Sequence, residues 1–223
     1  MPTMLNSPPA ADLAALPRMD PVVPILRADP FDGAQWIFEP KYEGLRAFLY
    51  AAGGRCEIRA LAVARATTYA ELGERISRIL GVRQAVLDGE VVALDARGKP
   101  VLRDLLKGRG FPAFAAFDLL WLDGQDLRSL PLAERKRRLA DLLPLDTASL
   151  YKVFSLAEHG RALFEAARKS ELEGIVAKRL SDPYGPDTVW YRIRNPAYRG
   201  ADGRVDLAAA RTRVRTVPGS SEG

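Results

Sequence analysis

A chain of 223 residues, 48% hydrophobic and 27% charged, is long enough to bury a core of its own as one large domain or two small ones. Its single cysteine, Cys56, excludes an internal disulfide, no basic and apolar leader opens it, and its longest apolar stretch, FPAFAAFDLLWL, is too short for a membrane span and is broken by Asp118. These features predict a cytoplasmic protein without membrane segments, and a net charge of +5 with pI near 9.5 fits a polyanionic partner such as a nucleotide or nucleic acid. Only seven of the 33 basic residues are lysine, so the charge equally fits the coding bias of a GC-rich genome.

Residues 1–20 and 200–223 are rich in Pro, Ala, Gly and Ser without sustained periodicity and read as tails, the second one disordered and basic, around a folded part over 21–199. Within that part, WIFE, LRAFLYAA, RCEIRA and AVLDGEVVAL have strand composition, with Gly53-Gly54 and DARGK as turns, which suggests antiparallel hairpins. TYAELGERISRIL, PLAERKRRLADLL and LAEHGRALFEAARKS carry apolar residues at helical spacing, the second preceded by Ser129 and Pro131 in cap-like positions. FAAFDLLWL, EGIVAKRL and TVWYRIR return to strand composition. Grouped strands, without regular alternation with helices, predict an α+β fold with mainly antiparallel sheets.

The familiar glycine cradles for phosphate are absent, as is a nucleophile elbow, and the lone histidine, His159, has no Cys or His partner at metal spacing. What remains is a set of charged residues where strands begin or end: Lys41 and Arg46 in EPKYEGLR, Glu90 in an apolar strand, Glu173 and Lys178 in EGIVAK, and Arg192 and Arg194 in WYRIR. Strand alternation puts Trp190, Arg192 and Arg194 on one face. Two guanidinium groups so placed repel one another unless an anion bridges them, and arginine is well shaped for phosphate. Glu173 and Lys178 have opposite parity, so Glu173 is expected to precede its strand or to be realigned by a bulge.

In order and context these segments resemble the nucleotidyltransferase domain of ATP-dependent DNA ligases, above all the ligase module of bacterial end-joining proteins. EPKYEGLR resembles the nucleophile motif K-x-D-G-x-R, LDGEVVALDARGKP the third motif, and FAAFDLLWLDGQDLRSLPLAERKRRL the stretch that follows it. EGIVAKR and WYRIRNP resemble the fourth and fifth, so the likeness spans residues 24–198.

The resemblance implies two mainly antiparallel sheets, flanked by helices, around an ATP cleft. It implies that Lys41 attacks the α-phosphorus of ATP to form a lysyl-AMP phosphoramidate, with Glu39, Arg46, Glu90, Phe117, Lys178, Arg192 and Arg194 binding ATP. Phe117 stacks on adenine, and Glu90 and Glu173 hold the ribose and a divalent metal, Mg²⁺ or Mn²⁺. A free lysine is almost wholly protonated at neutral pH, so burial and the cations of Arg46, Lys178, Arg192 and Arg194 are expected to lower the pKa of Lys41. The implied substrate is nicked or broken double-stranded DNA, handled in repair within the bacterial cytoplasm in association with the nucleoid. Two other readings share these residues: RNA ligation or cap-type guanylyl transfer, and a non-catalytic protein that keeps the fold to bind nucleotide, DNA or a repair partner.

Three residues or segments depart from the family's pattern. Glu43 replaces an aspartate, RALAVARA replaces an S-R-x-G stretch whose role Arg59 or Arg65 would have to take, and Arg192 and Arg194 replace two lysines. Residues 199–223 are too few for the OB-fold domain that follows the fifth motif in these ligases, so a separate OB-fold chain or end-joining protein is an expected partner, and duplex DNA would rest on arginines such as Arg59, Arg65 and Arg109.

Overall fold

The computed structural model describes residues 12–61, 69–96 and 99–199. Its strands are β1 (Ile25–Arg27), β2 (Gly33–Lys41), β3 (Leu45–Ala52), β4 (Arg55–Ala60), β5 (Gln84–Ala93), β6 (Pro112–Leu122), β7 (Gln125–Asp126), β8 (Leu150–Lys152), β9 (Leu156–Glu158), β10 (Gly174–Arg179) and β11 (Trp190–Arg194). Its α-helices are α1 (Ala70–Ser77), α2 (Leu102–Leu106), α3 (Leu132–Leu142) and α4 (Gly160–Lys169). One sheet has the order β1-β11-β10-β2-β9 and the other β4-β3-β5-β6-β7, with β8 also pairing with β6. All pairings are antiparallel except β1 with β11 and β6 with β8, which is the expected α+β arrangement.

The sequence builds two sheets because their central strands offer one apolar face to a helix and a second face to the opposite sheet. In the larger sheet Ala47, Leu49, Leu87, Val91, Phe114 and Ala116 face α1 and α3 through a core that includes Leu72, Ile76 and Leu139. The alternate residues Phe48, Tyr50, Val86 and Leu120 meet Val176 and Trp190 of the smaller sheet. The smaller sheet turns Phe38, Ile175, Ala177 and Ile193 toward Leu163, Phe164 and Ala167, the apolar stripe of α4. β5 reads as an almost continuous apolar run because it is buried on both faces, and Asp88 and Glu90 stand out on its inter-sheet face.

The Gly53-Gly54 turn joins β3 to β4 as expected, with both glycines at positive φ. Pro131 takes the N-cap of α3, and no side chain caps that helix. In the predicted third helix, Leu156–Glu158 instead forms β9, pairing with β2 before the helix starts at Gly160. Within the expected N-terminal tail over residues 1–20, Leu16 and Met19 are buried in the cluster that includes Tyr50. Residues 1–11, the tail from 200 on, the centre of the DARGK turn and Arg65 lie outside the described residues. Among the described residues no helix is long and apolar enough to cross a membrane.

Candidate active site

Lys41 ends β2, and the turn 42–44 leads straight into β3. Gly44 is required there: a Cβ at this position would lie 2.4 Å from the Val91 carbonyl oxygen and 2.8 Å from Glu90 Cγ. The turn therefore presses against β5, and the close approach brings the end of β2 to Glu90. From the other side, Gly174 opens β10 at φ 146°, a conformation that disfavours any side chain, and pairs with both Lys41 and Arg194. Glu173 precedes the strand, as its parity requires.

Lys41 Nζ consequently lies 3.2 Å from Glu173 Oε2 and 3.9 Å from Glu90 Oε1, and donates to the Tyr42 carbonyl at 3.0 Å. Burial pulls the pKa of the amine down, but the two carboxylates outweigh burial and leave it above the ordinary lysine value, with Arg192 opposing them weakly. This corrects the expectation of a cation-depressed lysine. The nearest charges are acidic, because Arg46 and Lys178 are committed elsewhere. Glu90 is itself pushed up, first by burial and then by Glu173, against the opposing pull of Lys41.

Arg46 makes a bidentate pair with Asp88, Nε to Oδ1 at 3.1 Å and Nη2 to Oδ2 at 2.6 Å, and donates from Nη1 to the Val22 carbonyl at 2.6 Å. Tyr184 Oη donates to Asp88 Oδ2 at 2.6 Å. Lys178 is fully buried and pairs with Glu39 Oε2 at 2.6 Å, while Lys136 of α3 pairs with the other oxygen of the same carboxylate. Burial, reinforced by Lys136 and opposed by Glu39, pushes Lys178 down to about 8. Burial raises the pKa of Glu39, yet the two lysines hold it below the usual carboxylate range.

Phe117 is the unpaired residue of a β-bulge, since Asp88 pairs with Asp118 and Gly89 with Ala116. The bulge turns its ring into the space between the sheets, edge-on to Trp190 at 5.9 Å, with Lys178 Nζ 4.1 Å and Arg46 Cζ 5.2 Å from its centroid. Asp118, beside it, pairs in register with Asp88 and makes a fully buried bidentate pair with Arg135, both contacts at 2.9 Å. Arg192 pairs in register with Val176 and Arg194 with Gly174, so each lies in a row that ends on Glu39 or Lys41.

The structure thus gathers Glu39, Lys41, Arg46, Glu90, Phe117, Glu173, Lys178, Arg192 and Arg194 on the facing surfaces of the two sheets. Arg59 stands apart, on β4, held by Glu57 and lying over the Tyr50 ring at 4.1 Å, and Arg109 pairs with Asp104. Sequence reasoning missed Asp88, Lys136 and Tyr184. Asp88 was within reach, being two residues before Glu90 and so on its face, whereas nothing distinguishes Lys136 from its basic neighbours on α3.

The match to known proteins follows the same residues. The model for the ATP dependent DNA ligase domain matches residues 23–194. The multifunctional non-homologous end joining protein LigD of Mycolicibacterium smegmatis is 33% identical over 158 residues, covering 70% of this chain and 20% of that protein. The SPbeta prophage-derived DNA ligase-like protein LigB of Bacillus subtilis is 29% identical over 164 residues, covering 70% of this chain and 58% of that one. Among solved structures, the ligase domain of M. tuberculosis LigD superposes with a TM-score of 0.62 at 28% identity, over 77% of this chain and 60% of that chain. A mycobacterial DNA ligase D complexed with ATP and MES gives 0.61 at 27% identity, over 77% of this chain and 59% of that chain. This chain spans about a fifth of the length of the LigD proteins it matches. With residues 23–194, most of its length, under the family model, the chain belongs to the ATP-dependent DNA ligase domain family.

Proposed function

We propose that the chain carries the adenylylation chemistry of an ATP-dependent DNA ligase acting on nicked or broken double-stranded DNA in bacterial repair, in the cytoplasm and in association with the nucleoid. The observation that carries this is the Lys41 amine, set between Glu90 and Glu173 at the junction of the two sheets with Phe117 farther along the same cleft. ATP binding is supported by the ATP complex of the mycobacterial DNA ligase D at 27% identity. The Lys41 ammonium first gives a proton to solvent; the amine then attacks the α-phosphorus, the N–P bond forms, the bond to pyrophosphate breaks, and a second proton passes from nitrogen to solvent. Arg192 and Arg194 offer positive charge to the phosphates, and Phe117 a face for adenine.

A divalent metal fits the donor set. Two carboxylates converge on Lys41, and among the described residues no group of three or more His, Cys, Asp or Glu does so. Mg²⁺ typically binds one or two carboxylates and completes its shell with water and substrate phosphate. Glu90 and Glu173 would hold Mg²⁺ or Mn²⁺, which would supply positive charge toward the phosphates. Without the metal, the same two carboxylates hold the Lys41 amine at 3.9 and 3.2 Å. A lid of OB-fold type, supplied by another segment or chain, would complete the grip on duplex DNA.

The deciding experiment is incubation with α-labelled ATP and Mg²⁺. The chain becomes covalently labelled, the label survives base and is released by acid as a phosphoramidate must be, and Lys41→Ala folds but takes up none. Label retained by that variant removes Lys41 from the role.

A further inference from the structure

One polar group at the heart of the cleft is unexplained by the ion pairs around it. Tyr151 lies on β8, and the register carries its row across the larger sheet: Tyr151 pairs with Ala115 of β6, Ala115 with Glu90 of β5, and Glu90 with Arg46 of β3. Residues in one row share a face, so Tyr151 and Glu90 stand on the inter-sheet face about 10 Å apart at their Cα atoms, with only an alanine methyl between them. The Tyr151 ring packs in the cluster that includes Val92, Ala115, Phe117 and Tyr42. Its hydroxyl is buried, its electrostatic neighbours are Tyr42, Glu90 and Asp146, and it has no hydrogen-bond partner among the described residues.

A buried phenol without an acceptor is unfavourable, by about 1–3 kcal/mol in general, and such groups call for a reason. The position supplies one. Phe117, two residues along β6 from Ala115, marks the base end of the cleft, and Lys41, 3.9 Å from Glu90, marks the α-phosphorus. In a nucleotide the atoms between base and α-phosphorus are those of the sugar. A sugar hydroxyl placed between Tyr151 and Glu90 satisfies both: it accepts from the phenol and donates to the carboxylate.

We propose that the Tyr151 hydroxyl reads the sugar of the bound nucleotide, donating to a hydroxyl of the ribose cis-diol that donates in turn to Glu90. The inference rests on the ATP reading above and adds a residue and a specificity to it, namely ribonucleotide over deoxyribonucleotide. Tyr151→Phe is the informative substitution, because it removes one oxygen that has no partner among the described residues and leaves the packing ring.

The test is titration calorimetry of the full chain with ATP, 2′-deoxy-ATP and 3′-deoxy-ATP, in EDTA so that no adenylylate forms, for the wild type and Tyr151→Phe. A hydrogen bond of ordinary strength predicts that the wild type binds ATP about tenfold more tightly than one of the two deoxy analogues. Tyr151→Phe brings that ratio close to one by weakening ATP while leaving that analogue unchanged, and its melting temperature without nucleotide is no lower than the wild type's. If the wild type binds all three equally, or if Tyr151→Phe keeps the ratio, the hydroxyl meets only water and the inference is overturned while the ATP reading stands. A variant that melts lower with the ratio intact assigns the hydroxyl a structural role and overturns it as well. A wild type that binds none of the three overturns the ATP reading, and this inference with it.

Discussion

Glu173 Oε2 lies 3.2 Å from Lys41 Nζ, and this contact exists only because Gly174, at φ 146°, pairs in register with Lys41. The carboxylate therefore reaches the amine from outside the strand, through a backbone conformation that a residue with a Cβ would adopt under strain. A Cβ at 174 would also lie 2.0 Å from the Ile193 carbonyl oxygen, so substitution there would disturb the pairing of β10 with β11 as well as the site.

Glu173→Gln should separate two properties that usually move together. Burial lowers the pKa of Lys41, and Glu90 and Glu173 raise it; removing one of the carboxylate charges lowers it. At pH 8 without metal, Lys41 in the variant should react faster with an amine acylating reagent, by about tenfold for each pKa unit lost, as read by peptide mass spectrometry. Adenylylation from ATP and Mg²⁺ should nonetheless fall, on the order of a hundredfold, because a metal at the phosphates would lose one of its two carboxylates. Slower acylation in the variant would show that Glu173 does not set the state of the amine.

The Asp118–Arg135 pair is structural. Both side chains are fully buried with bidentate geometry, and Arg135 also donates to the Leu130 and Asp182 carbonyls. Asp118→Ala leaves a buried guanidinium unpaired and should cost about 3–5 kcal/mol in denaturant unfolding. The double change Asp118→Leu with Arg135→Met should recover most of that loss. A single variant as stable as the wild type would mean that water or another group reaches Arg135.

Lys178 gives the fold a pH dependence of known sign. Its folded pKa, about 8, lies below that of an unfolded lysine, about 10.4, so between these values the unfolded chain binds more protons and stability rises with pH. Below about pH 8 the unfavourable burial of the charge is present in full. Lys178→Met removes this contribution, so the stability difference, wild type minus variant, should grow in favour of the wild type from pH 8 to 10. A flat difference across that range, in denaturant midpoints taken at each pH, would mean that Glu39 keeps the ammonium charged throughout.

Glu43→Asp should raise the adenylylation rate or leave it unchanged. Glu43 sits in the turn that Gly44 presses against β5, where a side chain one methylene longer than the family's aspartate displaces its oxygens by about 1 Å, enough to matter up to about a hundredfold. Single-turnover labelling of both proteins makes the comparison, and a slower variant would show a pocket adapted to the longer carboxylate.

The α+β class and most of the long strands were legible in the sequence because they depend on short-range information. Strand alternation places Asp88 with Glu90 and Trp190 with Arg192 whatever the rest of the chain does, and the motif EPKYEGLR carries its glycine for a steric reason internal to the turn. The partners of those residues were not legible, since they are set by which strands come together. Arg46, expected at the phosphate, pairs with Asp88 and the Val22 carbonyl, and Lys178, expected beside Lys41, shares Glu39 with Lys136. The sign of the shift at Lys41 followed from the same assembly. A lysine's sequence neighbours do not fix its field. Two carboxylates brought from β5 and from the start of β10 do, because Coulomb attraction in a buried site depends on distances that only the packed sheets determine.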